Sequence, residues 1–541
     1  MERIMSIRLI VISFIISVSM LVMLSARGST AASNKLGAIA IGASGEDISA
    51  IANAGAVNII NVSAYGLSSA NNTIWYQGLA GIAGTPEGLD QFGSALAAGD
   101  FNNDGFVDLA VGVIREGTGA YANAGAVNII YGATGGLTSA NNKIWYQGLD
   151  GIEGTLEADD YFGASLAAGD FNNDGFADLA IGVPRESIGG NLEAGAVNII
   201  YGSAAGLISA NNMMWYQGLF GIEGTLEAED RFGAALAVGD FNNDGFADLA
   251  VGADAEASPV FGSAGAVNII FGSAYGLTSA NNKIWMQGLD GIEGDLEQDD
   301  RFGSSLATGD FNNDGFADLA VGVPYETIGP ADSAGAVNII FGSAGGLTAA
   351  NNKVWYQGLE GIEETPETLD RFGSSLASGD FNNDGFADLA VGVIGESIGK
   401  YANAGAVNII YGAAGGLTSA NNKIWYQGLD GIEGTLEAGD YFGGALAAGY
   451  FNGDVFADLA VGVPVEGIGG MVAAGAVNII YGAAGGLTSA NNKMWYQGLN
   501  GIEGTLEQDD RFGASLVYMP PNPNAHFPWP MFLPAITGGT K

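Results

Sequence analysis

Short apolar runs alternate with turn-forming residues along most of the chain. Residues 300–369 show the order: FGSSLATG, the turn DFNNDG, DLAVGV, a variable loop, GAVNIIFG, the turn GSAGGLTAANN and KVWYQG. Apolar runs of this length between Gly, Asn and Asp clusters are typical of antiparallel β-strands, and the unit has no helical periodicity. The pattern therefore predicts that each unit forms a four-stranded sheet.

The unit recurs with a period of 70 residues. Seven copies of AGAVNII begin at Ala54, Ala124, Ala194, Ala264, Ala334, Ala404 and Ala474, and a Trp recurs at Trp75, Trp145, Trp215, Trp285, Trp355, Trp425 and Trp495. The chain enters the repeat in the middle of a unit, at LGAIAIGAS (36–44), and leaves it at the beginning of one, at RFGASLV (511–517).

Seven such sheets in one array predict an all-β fold, a seven-bladed β-propeller of four-stranded antiparallel blades. The offset between the two chain ends predicts how the ring closes. Three N-terminal strands from residues 36–77 and one C-terminal strand from residues 511–517 would share a split blade. An open β-solenoid is the alternative architecture.

The two ends of the chain differ in composition from the repeats. Arg3 and Arg8 precede an apolar run of 16 residues, Leu9 to Leu24, which small residues follow, so residues 1–33 are predicted to be a cleaved signal peptide. The run is shorter than the roughly 20 residues that cross a bilayer. We therefore expect a propeller over residues 34–517, a Pro-rich C-terminal tail over 518–541, no integral membrane segment after cleavage, and a secreted, extracellular or cell-surface location.

Charge and composition exclude several functions. The chain has 17 Lys and Arg against 59 Asp and Glu, a net charge of −42, which disfavours nucleic acid as a partner because phosphate binding needs a basic surface. It has no Cys, and its single His, His526, lies in the tail. Thiolate nucleophiles, Cys-ligated metals and His-dependent catalytic triads are therefore absent, and no enzymatic activity is expected.

The turn between the first two strands reads D-x-N-x-D-G-x-x-D in five units. Closely spaced oxygen donors suit the hard cation Ca²⁺, and Gly permits the sharp bend of the loop. Five calcium ions are predicted. The predicted ligands are four side chains and one backbone carbonyl, that of Phe, in each loop: Asp100, Asn102, Asp104, Phe106, Asp108; Asp170, Asn172, Asp174, Phe176, Asp178; Asp240, Asn242, Asp244, Phe246, Asp248; Asp310, Asn312, Asp314, Phe316, Asp318; Asp380, Asn382, Asp384, Phe386, Asp388.

The alternative is an Asx-turn whose side chains only satisfy their own backbone. Three carboxylates within nine residues repel one another unless a cation lies between them, which favours the calcium interpretation. A sixth copy, from Tyr450 to Asp458, lacks the first carboxylate and the Gly. We predict that this loop binds calcium weakly or not at all.

The loop between the second and third strands varies most among the units, but it keeps one Glu, at Glu46, Glu116, Glu186, Glu256, Glu326, Glu396 and Glu466. Sevenfold placement predicts a carboxylate ring near the central channel that binds cations or basic groups, with Glu116, Glu186, Glu256, Glu326 and Glu396 as candidate ligand-binding residues. The alternative, which we favour, is that each Glu accepts backbone N–H bonds from a neighbouring blade.

The order of motifs resembles the FG-GAP repeat of the integrin α-subunit N-terminal propeller. It runs through Phe302-Gly303, Asp310 to Asp318, Val321 to Pro324 and Gly335 to Val337. The resemblance implies a propeller with calcium in loops on one face and ligand recognition on the opposite face. It leads us to expect a binding or adhesion module for an extracellular protein or glycan, with its oligomeric state left open.

Two other functions remain open at this point. The seven Trp residues are the stacking platforms that a lectin-like carbohydrate binder would use, although one aromatic at a fixed position in each blade is more typical of packing between sheets. A calcium-dependent polysaccharide-active enzyme or phosphodiesterase would use the Glu ring, but the sequence offers no nucleophile or His base for it.

Overall fold

The computed structural model describes residues 37–258 and 260–521. These residues form 28 strands in seven four-stranded antiparallel sheets, so the predicted seven-bladed propeller is confirmed. The predicted signal peptide and the tail beyond residue 521 lie outside the described residues. No helix within the described part of the chain has the length and apolar character needed to cross a membrane.

Blades 1 to 4 contain the first half of the strands. Blade 1 contains β1 (Ala38–Ala43), β2 (Ala56–Ser63) and β3 (Gly66–Trp75); blade 2 contains β4 (Phe92–Gly99), β5 (Asp108–Val113), β6 (Ala126–Ala133) and β7 (Gly136–Trp145); blade 3 contains β8 (Ser165–Gly169), β9 (Asp178–Val183), β10 (Ala196–Tyr201) and β11 (Ile208–Trp215); blade 4 contains β12 (Phe232–Gly239), β13 (Asp248–Ala253), β14 (Ala266–Phe271) and β15 (Thr278–Trp285).

The remaining strands complete the ring. Blade 5 contains β16 (Ser305–Gly309), β17 (Asp318–Val323), β18 (Ala336–Phe341) and β19 (Thr348–Trp355); blade 6 contains β20 (Phe372–Gly379), β21 (Asp388–Val393), β22 (Ala406–Tyr411) and β23 (Thr418–Trp425); blade 7 contains β24 (Ala445–Gly449), β25 (Asp458–Val463), β26 (Ala476–Tyr481) and β27 (Thr488–Trp495); β28 (Phe512–Met519) returns to blade 1. Short 3₁₀ turns lie at Leu79–Gly81, Leu149–Gly151, Leu219–Gly221, Leu359–Gly361, Leu429–Gly431 and Leu499–Gly501.

The ring closes through the split blade. Strand β28 pairs antiparallel with β1, with Leu516 opposite Ile41 and Met519 opposite Ala38. The order of strands in this sheet is β28, β1, β2, β3, as the phase of the repeats predicts. The ring of Tyr518 packs edge-on against Phe451 of blade 7 at 5.6 Å, so β28 joins the last blade to the first.

The hydrophobic core lies between adjacent blades. At the junction of blades 5 and 6, Phe311, Trp355, Phe372 and Leu389 are packed in one buried cluster. Fully burying a side chain of this kind stabilises the fold by about 2 to 3 kcal/mol. All seven repeat Trp residues are buried in such clusters, which confirms the packing interpretation and removes them as exposed sugar platforms.

The fourth strand differs from its predicted extent. Residues TAANN of the predicted turn belong to β19, which begins at Thr348. Asn351 has a positive φ of 60° inside this strand, and the pairing with β18 shifts between Ile339 and Phe341. Asn tolerates this backbone conformation, so turn-forming residues here make a β-bulge.

The alternation of strands creates two faces. The turns between strands one and two and between strands three and four lie on one face, which we call the aspartate-loop face. The loops between strands two and three and the connections to the next blade lie on the other, the variable-loop face. The first strands of all seven blades line a central channel with a cavity of about 260 Å³, among whose lining residues are Leu96, Leu166, Leu236 and Leu306.

The Glu residues that recur in every unit lie at the blade junctions on the variable-loop face. Glu116 is buried, and its Oε2 accepts a hydrogen bond of 2.6 Å from Gln77 Nε2 of the preceding blade. Glu186, Glu396 and Glu466 are bonded in the same way by Gln147, Gln357 and Gln427. At the junctions of Glu256 and Glu326, Gln217 and Gln287 instead donate to Asn268 and Asn338.

Burial raises the pKa of carboxyl groups at these junctions. It raises the pKa of Glu326 to about 8, and repulsion from Asp300 adds to the shift. The pKa of Asp300 itself is raised to about 7 by burial. A group whose pKa is raised in the folded state stabilises the protein at low pH, and this stability is lost as the pH rises through the folded pKa.

Loss of β28 is predicted to open the ring. Truncation of the chain after Arg511 leaves β1 with an unpaired edge and exposes the apolar neighbours of Phe512 and Tyr518. We expect the unfolding midpoint in calorimetry to fall by about 5 °C or more. Truncation after Pro520 keeps β28 and is the matched control. Equal midpoints for the two truncated chains would contradict closure by the split blade.

Substitution Glu326→Gln is predicted to raise stability at high pH, because Gln stays neutral where the buried Glu must ionise. At fixed calcium concentration, we expect little change in unfolding midpoint at pH 5 and a higher midpoint than wild type at pH 9. Asp150→Asn is the control, since Asp150 is exposed and Asn500 occupies the same position in blade 7. A pH profile for Glu326→Gln parallel to that of wild type would refute this account.

Candidate functional site

Each aspartate loop wraps its backbone around its first carboxylate. In blade 2, Asp100 Oδ1 accepts a hydrogen bond from the N–H of Asp104 at 3.0 Å, and Oδ2 accepts one from Gly105 at 2.8 Å. Asn102 Oδ1 accepts a second bond from the Asp104 N–H at 2.9 Å. The loops beginning at Asp170, Asp240, Asp310 and Asp380 repeat these bonds.

The ninth residue of the loop is its buried anchor. Asp108 is fully buried; its Oδ2 accepts the N–H of Phe101 at 2.9 Å, and its Oδ1 accepts that of Gly132 at 2.7 Å. The carboxylate therefore fastens the first turn of the blade to the end of its third strand, β6. Burial raises the pKa of Asp108 to about 8, with smaller contributions from Asp100 and Asp104.

This anchoring role was not apparent from the sequence, which pointed to Asp108 only as a calcium ligand. The seventh blade provides the signal that separates the two roles. Its loop lacks the first Asp, yet Asp458 still accepts the N–H groups of Phe451 and Gly482. The ninth Asp therefore makes its anchoring hydrogen bonds even where the remaining loop donors are incomplete.

Successive loops are also joined to one another. The N–H of Ala177 in blade 3 donates to the carbonyl of Asp100 in blade 2 at 3.1 Å, and the same bond runs from Ala247 to Asp170. The N–H of Ser203 donates to the carbonyl of Phe101 at 3.2 Å. The backbone of each of these loops is therefore hydrogen-bonded to the next blade.

The loops contain the kind of donors that calcium requires. Burial raises the pKa of Asp100, and the carboxylate of Asp104 raises it further, so the loop holds charges that a cation would neutralise. Within the described residues, however, no three acidic, His or Cys side chains are arranged as a metal site. The observed bonds are those of the Asx-turn alternative, and the ligand set stays a prediction.

The candidate Glu residues lie against a neighbouring blade and not at the central channel. None of them lines the central channel, whose walls are the apolar first strands. Each is buried between two blades. Glu116, for example, accepts a hydrogen bond there from Gln77 of the preceding blade. As the alternative predicts, Glu116 accepts a hydrogen bond from the neighbouring blade. The donor, however, is the side-chain amide of Gln77 and not a backbone N–H.

One surface groove includes one of these Glu residues, Glu186, in its lining. It has a volume of about 550 Å³ and is lined by Glu153, Glu186, Met213 and Phe220 among others. At the positions of Met213 and Phe220, other blades have a Lys and an acidic residue that form an ion pair. In blade 5 this pair is Lys353 with Glu360, at 2.8 Å. Blade 3 is therefore more apolar than its neighbours on this part of its surface.

One repeat family and several known proteins match parts of this chain. The FG-GAP repeat matches residues 92–129, 162–199, 232–269, 302–339 and 372–410. Integrin alpha-5 of Xenopus laevis is 33% identical over 249 residues, which are 44% of this chain and 20% of the integrin. Integrin alpha-V of Gallus gallus is 33% identical over 242 residues, again 44% of this chain and 20% of the integrin.

A second group of similar proteins consists of phospholipases. Phosphatidylinositol-glycan-specific phospholipase D of Homo sapiens is 37% identical over 163 residues, 30% of this chain and 18% of the phospholipase. A solved rhamnogalacturonan lyase covers 86% of both chains at 11% identity with a TM-score of 0.32, too low a similarity to carry a conclusion. The chain spans about a fifth of the length of these curated relatives. The chain thus contains five FG-GAP repeats and, over 44% of its length, is similar to integrin alpha subunits.

Proposed function

We propose that the protein is a secreted or cell-surface binding module, stabilised by calcium, that recognises an extracellular protein or glycan on its variable-loop face. The similarity to integrin alpha subunits supports a role in adhesion. The proposal includes no catalytic step. The Trp residues take no part in recognition, since they are buried between blades.

Calcium is proposed to bind the five loops that carry the complete D-x-N-x-D-G-x-x-D motif. In blade 6, Asp380, Asn382, Asp384, Asp388 and the carbonyl of Phe386 would hold the ion. A bound calcium ion supplies the positive charge that offsets the repulsion among the loop carboxylates. Because the ion binds the folded loops, it would also raise the stability of the propeller.

The observation that carries the proposed partner face is the distribution of exposed apolar side chains. Large apolar residues are exposed in the loops between strands two and three, where the sequence varies most: Tyr121, Leu192, Val260, Phe261, Met471 and Val472. Leu89, Phe220 and Leu369 add to them from the connections on the same face. Nine of the thirteen exposed large apolar residues in the described part of the chain lie on this face, and Tyr65, Phe106, Tyr275 and Val455 lie on the other. A majority on the variable loops of a rigid scaffold favours an interaction surface there.

Chelation is predicted to lower the unfolding midpoint of the protein, and titration calorimetry of the chelated protein to give five ions bound, one for each complete loop. Asp384→Asn removes one of the three carboxylates of its loop, so we expect the stoichiometry to fall by one.

The seventh blade supplies the control for this titration. Asp454→Asn is the same substitution at the same loop position, but Tyr450 already replaces the first carboxylate there. We expect an unchanged stoichiometry. Loss of an ion from both variants, or no calcium uptake by the wild type, would rule out the assignment of the five sites.

Binding is predicted to depend on the variable-loop face. An array of extracellular-matrix proteins and glycans, probed with the protein in calcium and in chelator, is expected to give a calcium-dependent signal. Val260→Asp places a charge among the exposed apolar residues of this face and should weaken the signal about tenfold or more.

Tyr275→Asp is the matched control, because Tyr275 belongs to the same blade, is 97% exposed and lies in a turn on the aspartate-loop face. We expect it to bind as wild type does. Equal losses in the two variants, or a loss only in Tyr275→Asp, would place the partner elsewhere.

A further inference from the structure

In most blades a Lys of the fourth strand places a positive charge beside the repeat Trp. In blades 4, 5 and 6 this Lys lies over the Trp ring of its own blade, at 4.1 to 5.3 Å. Its Nζ also pairs with the acidic residue of the next turn at 2.8 to 3.1 Å, as Lys283 with Asp290, Lys353 with Glu360 and Lys423 with Asp430. Each of these blades therefore covers its Trp with an ammonium group of its own.

Blade 3 lacks this ammonium group. Met213 occupies the Lys position and Phe220 the acidic position, and the ring of Phe220 contacts Trp215 edge-on, with centroids 6.3 Å apart. Met213 and Phe220 line the groove of about 550 Å³ described above. Small-molecule sites in proteins have volumes of roughly 300 to 1,000 Å³ and largely apolar walls. The changed pair thus gives this blade an apolar and aromatic wall beside its junction Glu.

Two carboxyl groups form the polar part of the groove. Glu186 is buried, and its Oε2 accepts a hydrogen bond from Gln147 Nε2 at 2.8 Å. Glu153 is exposed, and its Oε2 accepts the N–H of Met214 at 2.8 Å, which holds this carboxylate against β11. Both carboxyl groups are therefore kept in place by hydrogen bonds to the strands around the groove.

The inner end of the groove has a further acceptor. Gln147 is 1% exposed, and its Nε2, besides donating to Glu186, lies 3.9 Å from Met214 Sδ. Its Oε1 has no hydrogen-bond partner within the described residues. Among those residues, no Lys, Arg or His lines the groove. The guanidinium of Arg185 lies instead over the ring of Tyr161, at 4.6 Å.

The acidic groups around the groove favour a positive ligand. Burial raises the pKa of Glu186 to about 7, and the charges of Asp160 and Glu157 add to the shift. A cation beside Glu186 would favour its ionised form. Exposed Asp159 belongs to the same connection as Asp160 and Glu157. A cation is therefore attracted to this part of the surface, and an anion is repelled.

We propose that the blade-3 groove binds an organic ammonium ion with an apolar body, its charge beside the two carboxylates and its body against Met213 and Phe220. Ammonium groups are attracted to the faces of aromatic rings, and Tyr216 and Phe220 line the groove. A hydrated metal ion would leave the apolar wall unused, and a neutral apolar compound would leave the carboxylates unpaired. The inference does not rest on the proposed function, since it concerns a small ligand and not the extracellular partner.

The test uses benzyltrimethylammonium, whose charge does not depend on pH, and titration calorimetry of the full chain in saturating calcium. Physiological salt suppresses non-specific attraction to the acidic chain, and at pH 8 Glu186 is mostly ionised. We expect saturable binding of one ion per chain. Benzyl alcohol has the same ring without the charge and is expected to bind about tenfold more weakly or less.

Glu186→Gln removes the buried charge and should weaken binding of benzyltrimethylammonium about tenfold. Glu466→Gln is the matched control, because Glu466 has the same place in blade 7 and is bonded in the same way by Gln427. There, however, Lys493 lies over Trp495 and supplies an ammonium group of the chain. We expect Glu466→Gln to bind as wild type does. Both variants change the net charge equally, so a difference between them is local.

Blade 7 also permits the site to be built a second time. It differs from blade 3 at three of the lining positions, where Gly467 replaces Ser187, Lys493 replaces Met213 and Asn500 replaces Phe220. The double variant Lys493→Met with Asn500→Phe is therefore expected to bind two ions per chain. The reverse change, Met213→Lys with Phe220→Asp, gives blade 3 the ion pair of blade 6 and should abolish binding.

The unfolding midpoint of each variant is compared with wild type first, so that loss of folding is not counted as loss of binding. Four results would overturn the site: no saturable binding, equal affinity for benzyl alcohol, equal losses in Glu186→Gln and Glu466→Gln, or binding that survives Met213→Lys with Phe220→Asp. An unchanged stoichiometry in Lys493→Met with Asn500→Phe would also count against it. None of these results bears on the proposed partner face, which Val260→Asp tests.

Discussion

The propeller depends on close backbone contact between blades. In blade 2, a Cβ on Gly112 would lie 2.4 Å from the carbonyl oxygen of Gly163 in blade 3, a distance that no side chain tolerates. The contact recurs at 2.2 to 2.6 Å around the ring, in the pairs Gly42 with Gly93, Gly182 with Gly233, Gly252 with Gly303, Gly322 with Gly373, Gly392 with Gly443 and Gly462 with Gly513. The Gly of each second strand and the Gly of the next Phe-Gly pair are thus one structural requirement. The buried Phe beside it fills the space that this approach leaves between the sheets.

The contact joins the second strand of one blade to the first strand of the next. It therefore does not constrain the sequence of the loops at the two ends of the blade. On the aspartate-loop face the chain adds a second fixed element, since Asp108 and its equivalents fasten the first turn of each blade to the end of its third strand through buried hydrogen bonds. On the variable-loop face the fixed element is the junction carboxyl, as in the pair of Glu116 with Gln77. The differences among the units are concentrated in the loops between the second and third strands on this face.

Much of this architecture could be predicted from the sequence because the repeat is nearly regular. The phase of the first and last units was sufficient to predict the pairing of β28 with β1. The start of β19 was missed, since the Asn residues that indicate a turn instead form a bulge within the strand. The hydrogen-bond partners of Glu116 and Asp108 were also missed. Their partners, Gln77 and Gly132, are 39 and 24 residues away, and such pairings follow from the packing of sheets and not from a local pattern.

The position before Phe-Gly shows how a duplicated frame acquires a distinct surface. It is occupied by Gln91, Tyr161, Arg231, Arg301, Arg371, Tyr441 and Arg511, while the Phe and Gly that follow are the same in every unit. The fold therefore does not specify this side chain. At two of these positions Arg301 and Arg371 lie over the ring of Tyr325, at 4.9 and 5.4 Å, so the side chains of adjacent blades make contacts there that the frame itself does not specify.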